Sequence, residues 1–520
     1  MTPDRAAVAA AVRELDLGAL AGRRWYASKG EPPTSARLAH AFALAEGAVL
    51  ALIDFRVGEG AGRIERYAVP FVAAGTGERV GDGEGAGDGG DRGAREALEG
   101  DGAWRALAVA IAEGRTIPAM TRDGPGPVRG AGHGNGADQG NGPGHGAVDA
   151  ALICRPSPGF GEAWPGTVAD LVRAGERALG RDQSNTSVVL GDRLLLKGYR
   201  RIQPGLNPDL ELTAYLSEEA AFPGVPRLAG WAEAVTRDGG AATVAMLQAF
   251  VADADDAYES TAERLASFVA SRDAVDLEAA TGIAEDLGTL VAGLHAALSA
   301  PPADAPDLAP RPASRDELKA WRHEAHRRLA VAINAVAAVD AALGQELRDE
   351  GAAIAARVSR FEATATAPLV MRIHADLHLG QVLVADDGYR VIDFEGEPLR
   401  PIEERRRPDS PLRDVASMLR SLDHVARSAR RRAETRAGGP IERPGLDIDA
   451  WIGRARERFL RAYAAGLRRE GSPSVLDLDL VDAFEVAKEC YEFTYAATVL
   501  PSWLWAPRDG MRWLLAHGEA

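Results

Sequence analysis

Cysteine is nearly absent from this chain of 520 residues, and its two cysteines, Cys154 and Cys490, lie far apart in the sequence. A disulfide framework is therefore not expected, and no Cys/His spacing suggests a zinc site. Long apolar runs are also missing, because no stretch reaches the ~18 consecutive apolar residues of a membrane span. The N-terminus lacks the apolar core of a signal peptide. These absences predict a cytoplasmic protein with no membrane partner.

An excess of positive charge is missing as well. Lys and Arg number 60 against 76 Asp and Glu, which gives a net charge of −16. Nucleic acids and anionic membranes are recognised through a cationic face, so neither is expected as a partner. Hydrophobic residues make up 46% and charged residues 26%, as in globular proteins. The chain is therefore expected to fold into several domains.

Two tracts, residues 75–93 and 124–146, contain almost no apolar side chains and no phosphate-binding G-x-x-x-x-G-K-[ST] motif. Their composition is typical of flexible loops. Between and after them, alternating apolar residues predict strands, and apolar residues three to four apart predict helices. Four regions are expected: an N-terminal cap domain (1–115), a Gly-rich flexible linker (116–149), a β-rich nucleotide-binding lobe (150–250) and a helical catalytic and acceptor-binding lobe (251–520).

Individual elements can be assigned from the same patterns. Capping boxes at Ser260–Glu263 and Ser314–Glu317 predict two helix starts. Strands are predicted at 48–57, 64–73, 150–154, 187–190, 193–198 and 243–251, and helices at 6–21, 95–113, 315–343, 345–365, 412–436, 452–470 and 477–498.

The segment from residue 373 to 398 carries the chemistry. His374 and Asp376, with Gln381 five residues after Asp376, match the H-R-D-x-x-x-x-N pattern of kinases. A strand predicted at 391–394 then brings Asp393 to its end, followed by Glu395, where kinases have D-F-G. Phosphoryl transfer needs one carboxylate to orient the acceptor hydroxyl and further oxygen ligands for Mg²⁺. We therefore predict Asp376 as the base and Gln381, Asp393 and Glu395 as metal ligands.

A cation for the phosphates is expected upstream. Lys197 ends the hydrophobic run Leu194–Lys197, and Glu211 opens a helical pattern from which it could pair with Lys197. Ser184 and Asn185 lie in a polar turn suited to covering phosphates. Residues 248–251, from Gln248 to Val251, are at the position of a hinge that binds adenine.

These motifs make the chain similar to a known family. Residues 181–209 and 373–407, with the turn at 24–30, closely resemble the maltokinase-like branch of the aminoglycoside-phosphotransferase superfamily. The resemblance implies an α+β, eukaryotic-protein-kinase-like bilobal fold with an additional N-terminal cap domain. It also implies a kinase that uses ATP and Mg²⁺ to phosphorylate a small sugar.

The final predicted helix indicates which sugar. Ala487 and Ala496 stand where maltokinases have acids, and Glu489 is an additional acid. The related bacterial glucosamine kinases share the kinase core, and carboxylates would complement an aminosugar's ammonium. We therefore predict phosphorylation of glucosamine to glucosamine 6-phosphate, with an acceptor site formed by His374, His378, Asp414, Glu489, Glu492 and Trp503.

Other interpretations stay open at this point. A maltokinase forming maltose 1-phosphate is the main alternative. An aminoglycoside-type phosphotransferase and an inactive kinase-like binding module are further ones. The intact set of Lys197, Asp376, Gln381 and Asp393 argues against the inactive module. The chain is expected to be a monomer or a homodimer.

Overall fold

The computed structural model describes residues 2–23, 25–28, 31–45, 47–58, 62–74, 93–121, 149–180, 185–237, 240–301, 308–364, 367–397 and 401–517. The chain divides by packing into two compact units. Unit 1 comprises Met1–Ala214 and Pro226–Ala252, and unit 2 comprises Tyr215–Val225 and Asp253–Ala520. Most of the tracts at 75–93 and 124–146, and most of the predicted linker, lie outside the described residues.

Unit 1 contains twelve strands and six helices among its described residues. The strands are β1 (Ser35–Ala45), β2 (Ala48–Val57), β3 (Arg63–Ala73), β4 (Ala94–Glu96), β5 (Thr116–Pro118), β6 (Ala150–Pro156), β7 (Glu176–Ala178), β8 (Thr186–Leu190), β9 (Leu194–Gly198), β10 (Arg201–Ile202), β11 (Leu228–Thr236) and β12 (Ala241–Ala249). The helices are α1 (Arg5–Arg13), α2 (Leu17–Leu20), α3 (Ala103–Ala112), α4 (Phe160–Ala163), α5 (Val168–Arg173) and α6 (Pro208–Ala214).

These strands form two sheets. The first has the order β1-β2-β3-β10 with β4 also paired to β3, and the second has the order β5-β6-β11-β12-β9-β8-β7. The short strand β10 comes from the predicted nucleotide lobe, and β5 comes from the start of the predicted linker. Each thus crosses a boundary that the sequence suggested. Cap and nucleotide-lobe residues consequently belong to one compact unit.

Strand β2 shows why the cap packs so closely with the rest of unit 1. Successive side chains of a strand point to opposite faces. Leu50 and Leu52 join a cluster that includes Trp104 of α3, whereas Val49 and Ile53 join a second cluster. Both faces of β2 are therefore buried, which explains its nearly continuous apolar sequence.

Unit 2 is mainly helical. Its helices are α7 (Ala257–Ala270), α8 (Leu277–Ala280), α9 (Gly282–Leu298), α10 (Arg315–Val339), α11 (Ala341–Asp349), α12 (Gly351–Val358), α13 (Ile402–Arg405), α14 (Pro411–Ala437), α15 (Ile448–Arg469), α16 (Leu478–Val499) and α17 (Trp505–His517). Its strands are β13 (Asp255–Asp256), β14 (Arg311–Pro312), β15 (Leu369–Val370), β16 (Val382–Ala385) and β17 (Gly388–Val391). A π-helical turn (Tyr215–Glu219) and 3₁₀ turns (Ser359–Glu362, Leu379–Gln381, Pro501–Trp503) complete the described elements.

Most predicted elements are present. Strand β2 confirms the prediction at 48–57, and α10, α14, α15 and α16 confirm four long helices with small shifts of their ends. The capping box at Ser314 is also confirmed, since Ser314 and Glu317 each bond the other's backbone N–H. The strands β1 and β11 were not predicted. Both are rich in alanine, which carries little β-strand signal.

Three helix predictions need correction. The helix predicted at 6–21 ends at Arg13, and Asp16 caps a separate turn, α2. The helical spacing at 95–113 holds only for α3, because β4 pairs with β3 before Gly102 turns the chain at a φ of 82°. The helix predicted at 345–365 is divided between α11, α12 and a 3₁₀ turn.

The capping box predicted at Ser260–Glu263 is wrong. The N-cap of α7 is Asp256, four residues before Ser260, and its side chain accepts hydrogen bonds from two N–H groups of the first turn. Both cysteines are buried and free. Within the described part of the chain, no helix has the length and apolar character needed to cross a membrane.

Candidate active site

The loop after β15 places Asp376, the predicted base. The backbone N–H groups of His374 and Ala375 donate to the two carboxylate oxygens of Asp414, at 2.8 and 2.9 Å. Ala375 has a φ of 69°, a conformation that a residue with a Cβ adopts only when its surroundings enforce it. Asp414 on α14 therefore fixes the backbone directly before Asp376.

Asp414 is held from behind by a buried chain of hydrogen bonds. His295 Nε2 on α9 lies 3.3 Å from Asp414 Oδ2, and His295 Nδ1 lies 2.9 Å from the Tyr463 hydroxyl. A carboxylate only accepts, so Nε2 donates to Asp414 and Nδ1 accepts from Tyr463. Burial raises the pKa of Tyr463 well above its ordinary value, which keeps its proton available.

The prediction that Asp414 contacts the acceptor needs correction. Its exposure is only 1%, and both of its oxygens already accept hydrogen bonds from the loop and from His295. The same holds for His374, which is fully buried. Its ring accepts from the Asp376 N–H (3.4 Å), donates to the Ile392 carbonyl (3.0 Å) and packs against Phe394. Asp414 and His374 therefore hold the conformation of the loop and are not exposed where an acceptor could contact them.

The predicted metal ligands Gln381 and Asp393 lie together. Gln381 Nε2 donates to Asp393 Oδ2 at 3.3 Å. Gln381 ends a 3₁₀ turn, and its carbonyl accepts from the Ile392 N–H at 3.0 Å. The strand predicted at 391–394 is misplaced, because β17 spans Gly388–Val391 and Asp393 follows it with a φ of 70°. A turn thus presents the Asp393 carboxylate beside the Gln381 amide.

Glu395, the third predicted ligand, is adjacent to a buried arginine. Arg405 Nη1 lies 3.8 Å from Glu395 Oε2 and also donates to the Glu395 carbonyl at 2.9 Å. Arg405 comes from the short helix α13. The guanidinium orients the backbone that follows Asp393.

Lys488 on α16 reaches the predicted base. Its Nζ lies 3.5 Å from Asp376 Oδ1 and 3.1 Å from Glu492 Oε1, and it lies 4.8 Å from the centroid of the Tyr491 ring. The two acids outweigh the opposing effect of burial and raise the pKa of Lys488 well above its ordinary value. Its ammonium therefore stays charged between two carboxylates.

Glu492 and His378, both predicted acceptor contacts, lie in the same neighbourhood. Burial would raise the pKa of Glu492, but Lys488 and His424 outweigh it and hold the pKa below its ordinary value. The Glu492 side chain is 16% exposed. Burial lowers the pKa of His378, whose Nδ1 accepts from the Gly380 N–H at 3.1 Å. A charged carboxylate and a neutral imidazole thus lie near Asp376.

Glu489 does not contribute to this surface. It has no exposure to solvent, and its Oε1 accepts from His424 Nε2 at 3.1 Å. It belongs to a buried charge cluster between helices that also contains Arg420, Asp423, Glu485 and His424. The prediction that Glu489 binds the acceptor is therefore wrong. Trp503 is half-buried and packs edge-on against His424 and Trp505.

In unit 1, Lys197 forms an ion pair with Asp209. The Lys197 Nζ lies 2.7 Å from Asp209 Oδ2, which also accepts a hydrogen bond from the Tyr199 hydroxyl at 2.9 Å. Asp209 lies in the first turn of α6, two residues before the half-buried Glu211, whose pairing with Lys197 stays a prediction. The lysine remains at a strand end, as predicted.

Three of the four other residues predicted to bind the nucleotide lie within the described part of the chain. Asn185 directly precedes β8, Gln248 is buried near the end of β12, and Val251 follows that strand by two residues. Ser184 lies outside the described residues. These assignments stay predictions.

Comparison with known proteins places this geometry in a family. Residues 176–469, more than half of the chain, match the model of the phosphotransferase enzyme family, and residues 20–97 match the maltokinase N-terminal cap domain. The chain belongs to the phosphotransferase enzyme family. This confirms the predicted kinase-like α+β fold with an N-terminal cap.

Curated relatives and solved structures agree. The phosphotransferase is 31% identical to a glucosamine kinase of Streptacidiphilus jiangxiensis over 75% of this chain and 84% of the relative. It is also 31% identical to a glucosamine kinase of Mycolicibacterium smegmatis over 73% of this chain and 90% of the relative. A solved structure of a glucosamine kinase in complex with glucosamine, ADP and inorganic phosphate superimposes with a TM-score of 0.66 at 25% identity, covering 98% of this chain and 99% of that one.

The sequence interpretation missed Lys488, which lies beside Asp376 in unit 2, and Asp209, which lies beside Lys197 in unit 1. A signal for Lys488 was present, because only four lysines (29, 197, 319 and 488) occur among 60 basic residues. Two of the four, Lys197 and Lys488, form ion pairs with buried or partly buried acids. No comparable compositional signal marks Asp209, since acids are abundant.

Proposed function

We propose that this phosphotransferase is a sugar kinase that transfers the γ-phosphate of ATP to glucosamine and forms glucosamine 6-phosphate. The observation that carries the proposal is the position of Lys488, whose ammonium contacts both Asp376, the candidate base, and Glu492, a charged carboxylate. The two relatives at 31% identity, each named a glucosamine kinase, support the acceptor.

The residues of unit 2 have distinct roles in the proposed reaction. Asp376 accepts the proton of the acceptor hydroxyl and orients its oxygen for attack on the γ-phosphate. Asp414 keeps the loop before Asp376 in place. Glu492, held in its charged form, binds the acceptor's ammonium, which gives the preference for an aminosugar over a neutral one.

The donor set also fits Mg²⁺. The Gln381 amide and the Asp393 carboxylate offer the oxygen ligands that this cation prefers, on a turn that Ile392 and His374 hold in place. Bound there, Mg²⁺ would neutralise charge on the phosphates. In unit 1, we assign Lys197, oriented by Asp209, to bind ATP phosphates. Isothermal calorimetry should show weaker Mg²⁺-ADP binding by Asp393→Ala, with a parent-like melting temperature.

An acceptor panel tests the proposal. ADP release should be fastest with glucosamine when it is compared with glucose, N-acetylglucosamine, maltose and an aminoglycoside, each alone. Phosphorus NMR should place the phosphate on the 6-hydroxyl. Maltose turned over faster than glucosamine, with maltose 1-phosphate as product, would overturn the proposal in favour of a maltokinase.

Glu492→Gln tests the acceptor contact separately. A charge-assisted contact is worth roughly 1.5–3 kcal/mol, so the KM for glucosamine should rise about ten- to hundredfold. The KM values for glucose and ATP should change little. The control is Glu470→Gln on the exposed end of α15, which should change none of these values. An equal rise in KM for glucose and glucosamine would contradict the role of Glu492. The cytoplasmic location and the oligomeric state stay predictions.

A further inference from the structure

Lysine is rare in this protein, and its few positions are informative. Only four of the 60 basic residues are lysines, so arginine provides nearly all the positive charge. Arginine presents a planar fork of donors, whereas lysine presents a compact point charge on a flexible stem. Lys488 occupies a place where one small cation lies between two carboxylates.

The surroundings of Lys488 explain why a compact cation suits this place. Glu492 lies one helical turn after it on α16, so the two side chains share a face. Asp376 approaches from the loop after β15, and the Tyr491 ring lies alongside the ammonium. The Lys488 side chain is 19% exposed, and that of Asp376 is 26% exposed. The site is therefore partly open to solvent.

Further titratable groups surround these two ion pairs. His378 and His374 come from the loop, His424 comes from α14, and Glu397 lies near Tyr491. Arg328 of α10 lies 5.4 Å from the centroid of the Tyr491 ring, and it pairs with Glu397 at 3.0 Å. Among the described residues, Lys488 is the one cation within ion-pair distance of Asp376.

We propose that Lys488 is a positioning residue for phosphoryl transfer. Its ammonium holds Asp376 in the orientation in which that carboxylate accepts the proton of the acceptor's hydroxyl. When the acceptor binds, its own ammonium replaces Lys488 as the partner of Glu492. This inference rests on the proposed function, because it assigns Asp376 as the base. In the free enzyme, Asp376 and Glu492 share the single positive charge of Lys488, so one negative charge is left over. When the acceptor's ammonium binds Glu492, each carboxylate keeps one cation, so the acceptor enters without leaving a buried charge unpaired.

The test removes the ammonium and then supplies it again. Lys488→Ala lacks a fragment equivalent to propylammonium, and the site is open enough to admit this cation. Loss of a charge-assisted contact should lower kcat about ten- to hundredfold, with little change in the KM for ATP. Propylammonium chloride should restore much of kcat, whereas equal concentrations of sodium chloride should not. The kcat of Lys488→Arg should stay below that of the parent, because the guanidinium has a different shape from the ammonium.

Controls separate this role from a structural one. Lys319→Ala, on the exposed face of α10, should keep parent kcat and show no response to propylammonium. Melting temperature and ADP binding of the Lys488 variants show whether they are folded, and Lys488→Met keeps the packing of the stem. The proposal is wrong if Lys488→Ala retains kcat, or if its loss does not respond to propylammonium.

The same assay keeps the two proposals apart. The acceptor panel on the parent enzyme decides whether glucosamine is the substrate. The ratio of variant to parent kcat decides the role of Lys488, and it is measured on whichever sugar the parent turns over fastest. If the parent prefers another sugar but propylammonium restores the kcat of Lys488→Ala, the proposed acceptor is wrong and the role of Lys488 is supported.

Discussion

Replacing Asp414 by asparagine should damage catalysis without weakening acceptor binding. The carboxylate accepts the N–H groups of His374 and Ala375 and the Nε2–H of His295. An amide keeps one acceptor oxygen, and its NH₂ group faces a donor that then has no partner. An unsatisfied buried donor costs about 1–3 kcal/mol, and hydrogen bonds to a charged acceptor are worth about 1.5–3 kcal/mol.

Part of this cost can be avoided only by moving the loop. Ala375 is held at a φ of 69°, and release of its N–H would let the backbone relax and carry Asp376 with it. A displacement of about 1 Å at a reacting group can cost about a hundredfold in rate. We therefore expect kcat of Asp414→Asn to fall about a hundredfold and its free energy of unfolding to fall by about 2–4 kcal/mol.

Steady-state kinetics with varied glucosamine, together with a thermal melt, check this prediction. The KM for glucosamine should stay within about threefold of the parent value, because Asp414 is buried and has no access to the acceptor. The matched control is Asp316→Asn, since Asp316 is 94% exposed on α10. A large rise in KM with unchanged kcat would refute the reasoning and return Asp414 to the acceptor site.

Three further predictions concern other parts of unit 2. Asp376→Asn should lower kcat by about two to four orders of magnitude with an unchanged melting temperature, and near-normal turnover would remove Asp376 from the role of base. Gly510→Ala should lower the melting temperature, because the new Cβ would overlap Glu489 Oε1. The control is Gly453→Ala on α15, where the new Cβ meets no atom within 4 Å and the melting temperature should stay the same or rise. A lower melting temperature for Gly453→Ala than for Gly510→Ala would contradict the packing of α17. Burial opposes protonation of His424, but the nearby Glu489 outweighs burial and raises the pKa of His424 above its ordinary value of 6.5. The stabilisation that protonated His424 gives the folded state is therefore present below pH 6.5 and is lost as the pH rises through the folded-state pKa. The melting temperature of the parent should therefore exceed that of His424→Gln most at about pH 6, and a difference that grows towards about pH 9 would contradict this sign.

The local patterns that the sequence revealed correspond to short stretches of chain. Asp376, Gln381 and Asp393 lie within one loop and one hairpin, so their spacing alone predicts that they lie near one another, and Gln381 does contact Asp393. Strand β2 could be recognised by its apolar residues, and α10 by its capping box. The alanine-rich strands β1 and β11 could not, because their pairing depends on neighbouring strands rather than on their own composition.

Helix α16 shows what only the tertiary structure decides. It carries Lys488, Glu489 and Glu492 within little more than one turn, and consecutive residues of a helix differ by about 100° in direction. Its carboxylates lie on both faces, so hydrophobic periodicity does not indicate which face is buried. Packing against α10 and α14 turns Glu489 towards Arg420 and His424 and leaves Lys488 and Glu492 beside Asp376. The sequence by itself predicted the candidate residues of the loop, because they are close together along the chain, whereas the packing of one helix decided which charged side chains lie beside them.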